Sequence, residues 1–228
     1  MANRPTFALA VLALALAGCA GAEPAIPLTF VNHLEAGIPA RGVFVEKIEG
    51  SSVVYRVVSA EKEAYLGAPL HGTVEPFDPA DLPAHRPYAK GGAIGATLAR
   101  WLAATGSGTY ACEDGRGIIE ASFDNLVPNS TYAMWHVFVP MPPGERSAAY
   151  ELPVGARDGS EATFASDNQG NASYRRSFEP CLQLGGEQLA SGLAVAWRER
   201  AAPMDRLPAA PGELSHVQLF AWLPGREP

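Results

Sequence analysis

"TYAMWHVFVPM", residues 131–141, is the stretch on which the fold turns. In an extended chain Tyr132, Met134, His136 and Phe138 share one face, and Ala133, Trp135, Val137 and Val139 share the other. Both faces are apolar. The strand is therefore covered on both sides, as a central strand of a layered β structure is. Near the C-terminus "SHVQLFAWL" repeats the pattern, with His216, Gln218, Phe220 and Trp222 on one face and Val217, Leu219, Ala221 and Leu223 on the other.

Outward from these two runs, β-rich segments occur near residues 108–112, 117–124, 162–166, 172–179 and 192–198, separated by Gly, Pro, Asn and Asp turns. Short strands at this spacing predict a mainly β protein, an immunoglobulin-like antiparallel β-sandwich over 106–228 with one short helix and long Pro-rich loops. The loops at 140–160 and 200–213 are the natural places for binding, since a sandwich holds loops that are free to vary. "ASDNQGNAS" reads as a hairpin turn with Gly170 at positive φ. Its Asp167, Asn168 and Asn171 match no full calcium loop, and turn chemistry accounts for them.

Ahead of the sandwich, residues 28–75 carry further strands at 28–34, 40–48, 51–60 and 70–77, either as a separate lobe or as strands added to the main fold. Glu49-Gly50 reads as the turn of a hairpin. Prolines 76, 79, 83 and 87 mark an extended connection over 76–92. Ile94, Leu98, Trp101 and Leu102 then fall on one helical stripe, with Gly106 beyond it, and predict a helix over 93–105.

The chain opens with Arg4, an uncharged apolar run from Phe7 to Ala17, and Leu16-Ala17-Gly18-Cys19. This is a secretory signal over 1–18, too short to span a bilayer. Its end resembles the bacterial lipobox, which implies cleavage before Cys19 and acylation of that residue. Several acyl chains on one residue make a firm anchor. Ala20 after the Cys implies the outer membrane, with the domain facing the periplasm. The tether over 19–27 reaches at most ~30 Å, so the domain is held near the membrane.

Net charge is −7, and Lys occurs only at 47, 62 and 90. An acidic chain without a basic cluster argues against nucleic acid and against electrostatic adhesion to anionic lipid. With Cys19 acylated, Cys112 and Cys181 remain in an oxidising compartment, and they read as one disulfide. Closing a loop of about 70 residues is worth about 4 kcal/mol on the chain-entropy account.

No catalytic residues are assigned. Ser107 in "TGSGTY" follows a helix and precedes a strand, the reverse of a nucleophile elbow. Glu120 and Asp124 share a strand face at a spacing of ~13 Å, too far apart to flank one glycosidic bond. No phosphate-cradling loop is present. No cofactor is called for, with copper as the alternative. Met134 lies ~7 Å from His136 along its strand. If the two apolar strands pair, His216 faces His136, and soft sulfur with imidazole favours copper(I). The bland alternative is a core in which Met fills gaps and His satisfies a backbone partner.

The segments "GSGTYACEDGRGIIEASFDNLVPNSTYAMWHVF", "LPVGARDGSEATFASDNQGNASYRRSFEPCLQL" and "GELSHVQLFAWLP" resemble a group of uncharacterised bacterial exported proteins, over most of the chain from about residue 65 onward. That resemblance implies a β-sandwich and no activity. A fainter likeness is to the copper/zinc superoxide dismutase sandwich and to CHRD domains, carried by Leu126-Val127-Pro128 followed by a histidine strand. The dismutase pattern has His-x-His there, whereas this chain has Met134-Trp135-His136. The expectation from sequence is a lipid-anchored, non-catalytic envelope module with a structural role or one of binding a small ligand or an envelope protein partner; the alternative is a periplasmic copper-binding protein using Met134, His136 and His216.

Overall fold

The computed structural model of the chain describes residues 24–38, 43–74, 86–140, 150–186, 189–198 and 216–225. The expected signal, Cys19, most of the expected tether, the prolines at 76, 79 and 83, His85 and residues 200–213 lie outside the described residues. Among the described residues the fold is mainly β and sandwich-like, with antiparallel sheets and one short α-helix.

Strand β1 (Ile26–Asn32) is the hinge of the architecture. Residues 26–30 pair with β6 (Thr105–Glu113), and Val31 and Asn32 pair with β13 (Val217–Trp222). One branch runs from β6 to β7 (Arg116–Asp124) and β11 (Ala172–Phe178). The other runs from β13 to β12 (Leu189–Arg198) and β8 (Thr131–Pro140), whose far edge carries both β9 (Tyr150–Pro153) and β10 (Thr163–Ala165). The two branches face one another across the core. Phe164 of β10 stacks on Phe123 of β7 at 5.2 Å and tilts against Tyr174 of β11 at 5.5 Å, closing the open side of the sandwich.

Local sequence explains each layer. In β7 Gly117, Ile119, Ala121 and Phe123 point inward while Glu120, Ser122 and Asp124 stay exposed, the alternation of a half-buried strand. β8 is buried from Tyr132 to Val139, as its two apolar faces require. Tyr132 and Met134 enter the main core with Leu193, Val195 and Leu219, whereas Ala133, Trp135 and Val137 join a second cluster with Ala194, Ala196 and Phe220. β6 needs glycine at 108, because a Cβ there would lie 2.3 Å from the Glu120 carbonyl oxygen.

The segment 28–75 divides between two bodies. β1 belongs to the sandwich, while β2 (Phe44–Val45), β3 (Val53–Arg56) and β4 (Pro69–Thr73) close into a small barrel with β5 (Pro87–Thr97). The hairpin expected at Glu49-Gly50 forms between β2 and β3, with Gly50 at φ 79°.

Three expectations need correction. The helix predicted over 93–105 is only α1 (Leu98–Leu102), and the described end of the predicted 76–92 connection is strand β5. Gly91, Gly92 and Gly95 disfavour helix, Gly95 sits at φ 84°, and pairing with β3 and β4 satisfies the β5 backbone. Gly91 also lets β4 approach, since a Cβ there would meet Gly72 backbone at 2.9 Å. Thr97 then caps α1 by accepting from the Arg100 amide, and Leu98 and Trp101 bury into the core. β9 falls inside the stretch expected to be a loop; four residues ended by Pro153 carry no periodicity to read.

Candidate functional site

The register of the strands defines two ends of the sandwich. At one end are Ile26, paired with Tyr110, the start of β12 at Leu189, and the last residues of β8 and β11. The barrel and α1 lie toward the other. The disulfide is at the first end, with S–S 2.05 Å and Cα–Cα 5.7 Å between Cys112 and Cys181, bonding the end of β6 to the segment after β11. Leu182 donates its amide to Tyr110 Oη at 2.8 Å, and Cys181 donates to the Gly115 carbonyl at 3.2 Å. The 179–182 segment is thus held on three sides.

Between this segment and β8–β9 opens a half-enclosed cavity of about 210 Å³. Its walls are Leu152, Pro153, Phe178, Pro180 and Leu182, with His136 at 5% exposure among them. Burial pushes the His136 ring down to about 4, so it is neutral at pH 7, and it hydrogen-bonds the Gln183 backbone. Its Nε2 has neither solvent nor a hydrogen-bond partner. The charged lining is Glu179 and Arg157. Glu179 is taken by Arg116, whose Nη2 and Nε donate to Oε1 at 2.8 and 3.1 Å. Arg157 sits in a turn opened by Gly155 at φ 83° and secured by Glu161 Oε2, which accepts from the Ala156 amide at 2.7 Å. The neighbouring acid Asp158 accepts from the Ser160 amide and hydroxyl, which hold its carboxyl below the usual range. Arg157 is left without an ion-pair or hydrogen-bond partner among the described residues.

The three residues considered for copper do not converge. β12 lies between β8 and β13, so the strands carrying His136 and His216 are not neighbours. The Trp197 amide donates to the His216 carbonyl, and Trp197 pairs with Tyr132, which places His216 four residues along the sheet from His136. Two strand spacings and that offset separate them by roughly 16 Å. Met134, at 0% exposure, packs in the main core. His216, at φ 57°, hydrogen-bonds the His71 backbone and meets the Trp197 ring edge-on at 5.7 Å. Among the described residues no group of three or more His, Cys, Asp or Glu is placed to hold a metal.

A second polar cluster, absent from the sequence argument, lies in the barrel. Strand alternation puts Glu46, His71 and Lys90 on the face that carries the Phe44–Val54–Tyr88 cluster. Glu46 reaches Lys90 Nζ at 3.2 Å and His71 Nε2 at 3.1 Å. The Lys90 hydrogen bond holds the Glu46 carboxyl below its ordinary range. One acid, directly after β2, thus bridges to side chains of β4 and β5.

Elsewhere the polar residues serve structure. Asp167 Oδ1 accepts from the amides of Gln169 and Asn171, both at 2.8 Å, which is the turn chemistry read from sequence. Glu120 pairs across the sheet with Arg175 at 3.0 Å. Tyr132 Oη donates to Gln218 Oε1 at 2.7 Å and accepts from the Val127 amide, while Gln218 Nε2 donates to the Trp101 carbonyl. Only tertiary pairing discloses that network, since Gln218 occupies an otherwise apolar strand. Comparison with models of known families and with curated proteins gives no match for this chain.

Proposed function

We propose that this protein is a lipid-anchored module of the bacterial cell envelope, non-catalytic, which binds a small ligand in the cavity beside the Cys112–Cys181 bond. The carrying observation is that β1 begins at the same end of the sandwich as this cavity. A chain acylated at Cys19 would hold that end toward the bilayer, within the ~30 Å reach of the tether. Leu184 and Leu189, at 43% and 40% exposure, flank the same end and suit a position near lipid. The lipobox resemblance at Leu16-Ala17-Gly18-Cys19 supports the anchor, and Ala20 supports the outer membrane with the domain in the periplasm.

The test is metabolic labelling with radioactive palmitate followed by membrane fractionation, comparing the natural chain with Cys19→Ser. The natural chain should carry label and sediment with the outer membrane, and the variant should lose the label and become soluble. An unlabelled natural chain would remove the anchor.

A further inference from the structure

The cavity beside the disulfide has one acid and one base in its lining, and only the base lacks an ion-pair partner among the described residues. The four lining side chains from β9 and the disulfide-bonded segment that are neither charged nor histidine are all Leu or Pro, and Phe178 at the end of β11 closes the wall. His136 contributes a neutral ring whose Nε2 is out of reach of water, so that wall behaves as an apolar surface. Glu179 is neutralised by Arg116 in a two-pronged pair, and Asp158 is engaged by Ser160. What remains is the Arg157 guanidinium, on a turn held by Glu161, without a partner among the described residues. A planar fork of donors beside an apolar cleft is complementary to a carboxylate on an apolar body. The cavity, at about 210 Å³, is smaller than the ~300 Å³ at which drug-sized pockets begin, which restricts the occupant to a short chain or single ring.

We infer that this cavity binds an anionic amphiphile, an apolar chain or ring ending in a carboxylate, with the head group on Arg157 and the body among Leu152, Pro153, Phe178, Pro180 and Leu182. The inference rests on the assignment of this cavity as the ligand site. Two sources offer the same chemistry, a free carboxylic acid in the periplasm and an acyl chain with an anionic head in the adjacent bilayer leaflet. Because Arg157 is exposed and packs into no core, its replacement leaves the fold intact.

The experiment is calorimetric titration of octanoate into the full-length lipoprotein in phosphatidylcholine nanodiscs, with protein-free nanodiscs as the blank. The expected result is saturable one-to-one binding, weakened about tenfold or more by Arg157→Ala and partly kept by Arg157→Lys, with octanol binding about tenfold or more weakly than octanoate. No saturable binding above the blank, equal affinity for octanol, or an Arg157→Ala chain that binds like the natural one would each overturn the inference. Repeating the titration in nanodiscs containing phosphatidic acid separates the sources: competition identifies the bilayer lipid as occupant, and unchanged octanoate affinity identifies the free acid. Acylation of Cys19 is read by labelling and ligand by heat, so failure of the anchor and failure of the ligand assignment give different results.

Discussion

Three histidines show what burial does to a titratable ring. His33 is 1% exposed, and neither of its nitrogens is hydrogen-bonded. Burial pushes it down to about 3, and pushes His136 and His216 down to about 4, from 6.5. The folded values lie below the unfolded one, so between them the unfolded chain binds protons that the folded chain refuses. Stability is complete above pH 6.5 and falls as pH drops toward 4. Urea midpoints should be lower at pH 5 than at pH 7.5. His33→Leu should flatten that dependence and raise stability at pH 7.5 by about 1 kcal/mol, because it removes a buried polar group that lacks partners. A variant that is less stable at pH 7.5 would show that the ring has a partner after all. The residue alone could not disclose this, since "VNHLE" offers the same histidine whether its ring is wet or dry.

Between elements, the approach of β6 to β7 and the bond from β6 to the 179–182 segment hold the end that carries the cavity. Gly108→Ala puts a methyl group against the Glu120 carbonyl and the Ala121 Cα, backbone that cannot swing away. It should cost about 1–3 kcal/mol in urea unfolding, the usual range for overpacking. An Ala variant as stable as the natural chain would mean that the strands separate without penalty. Replacing both Cys112 and Cys181 with Ser opens a closure between residues 69 apart and should cost about 4 kcal/mol on the chain-entropy account, measured the same way. Most of these strands were legible from their spacing and from the Gly, Pro, Asn and Asp turns between them. β5 was not, because its apolar positions also fit a helical stripe, and only pairing with β3 and β4 decides between the two.

At the scale of the whole molecule, barrel and sandwich share one core. Val43, Val45, Leu70 and Ile94 from the barrel region pack in the same cluster as Trp101, Phe123, Tyr132 and Leu219. His216 adds a hydrogen bond from the start of β13 to the backbone of His71. Two bodies with a common buried core lose their packing together, so unfolding should follow a single transition. Far-ultraviolet circular dichroism and tryptophan fluorescence should therefore give coincident denaturation curves. Two separated midpoints would show that the barrel opens by itself.

The sequence by itself determined the mainly β character, the pairing of Cys112 with Cys181, the hairpin at Gly50 and the turn at Asp167. Each of these follows from local chemistry: alternation of apolar residues, the requirement for positive φ, or the count of cysteines. It also carries Leu16-Ala17-Gly18-Cys19, whose resemblance to a lipobox is what the proposed anchor rests on. Tertiary structure decided that β12 separates His136 from His216, that β2–β5 close into a barrel, and that the cavity with Arg157 lies at the end where β1 begins. Those outcomes depend on which strands become neighbours, and neighbours are chosen by the summed burial of both faces of every strand. No short stretch of residues contains that sum.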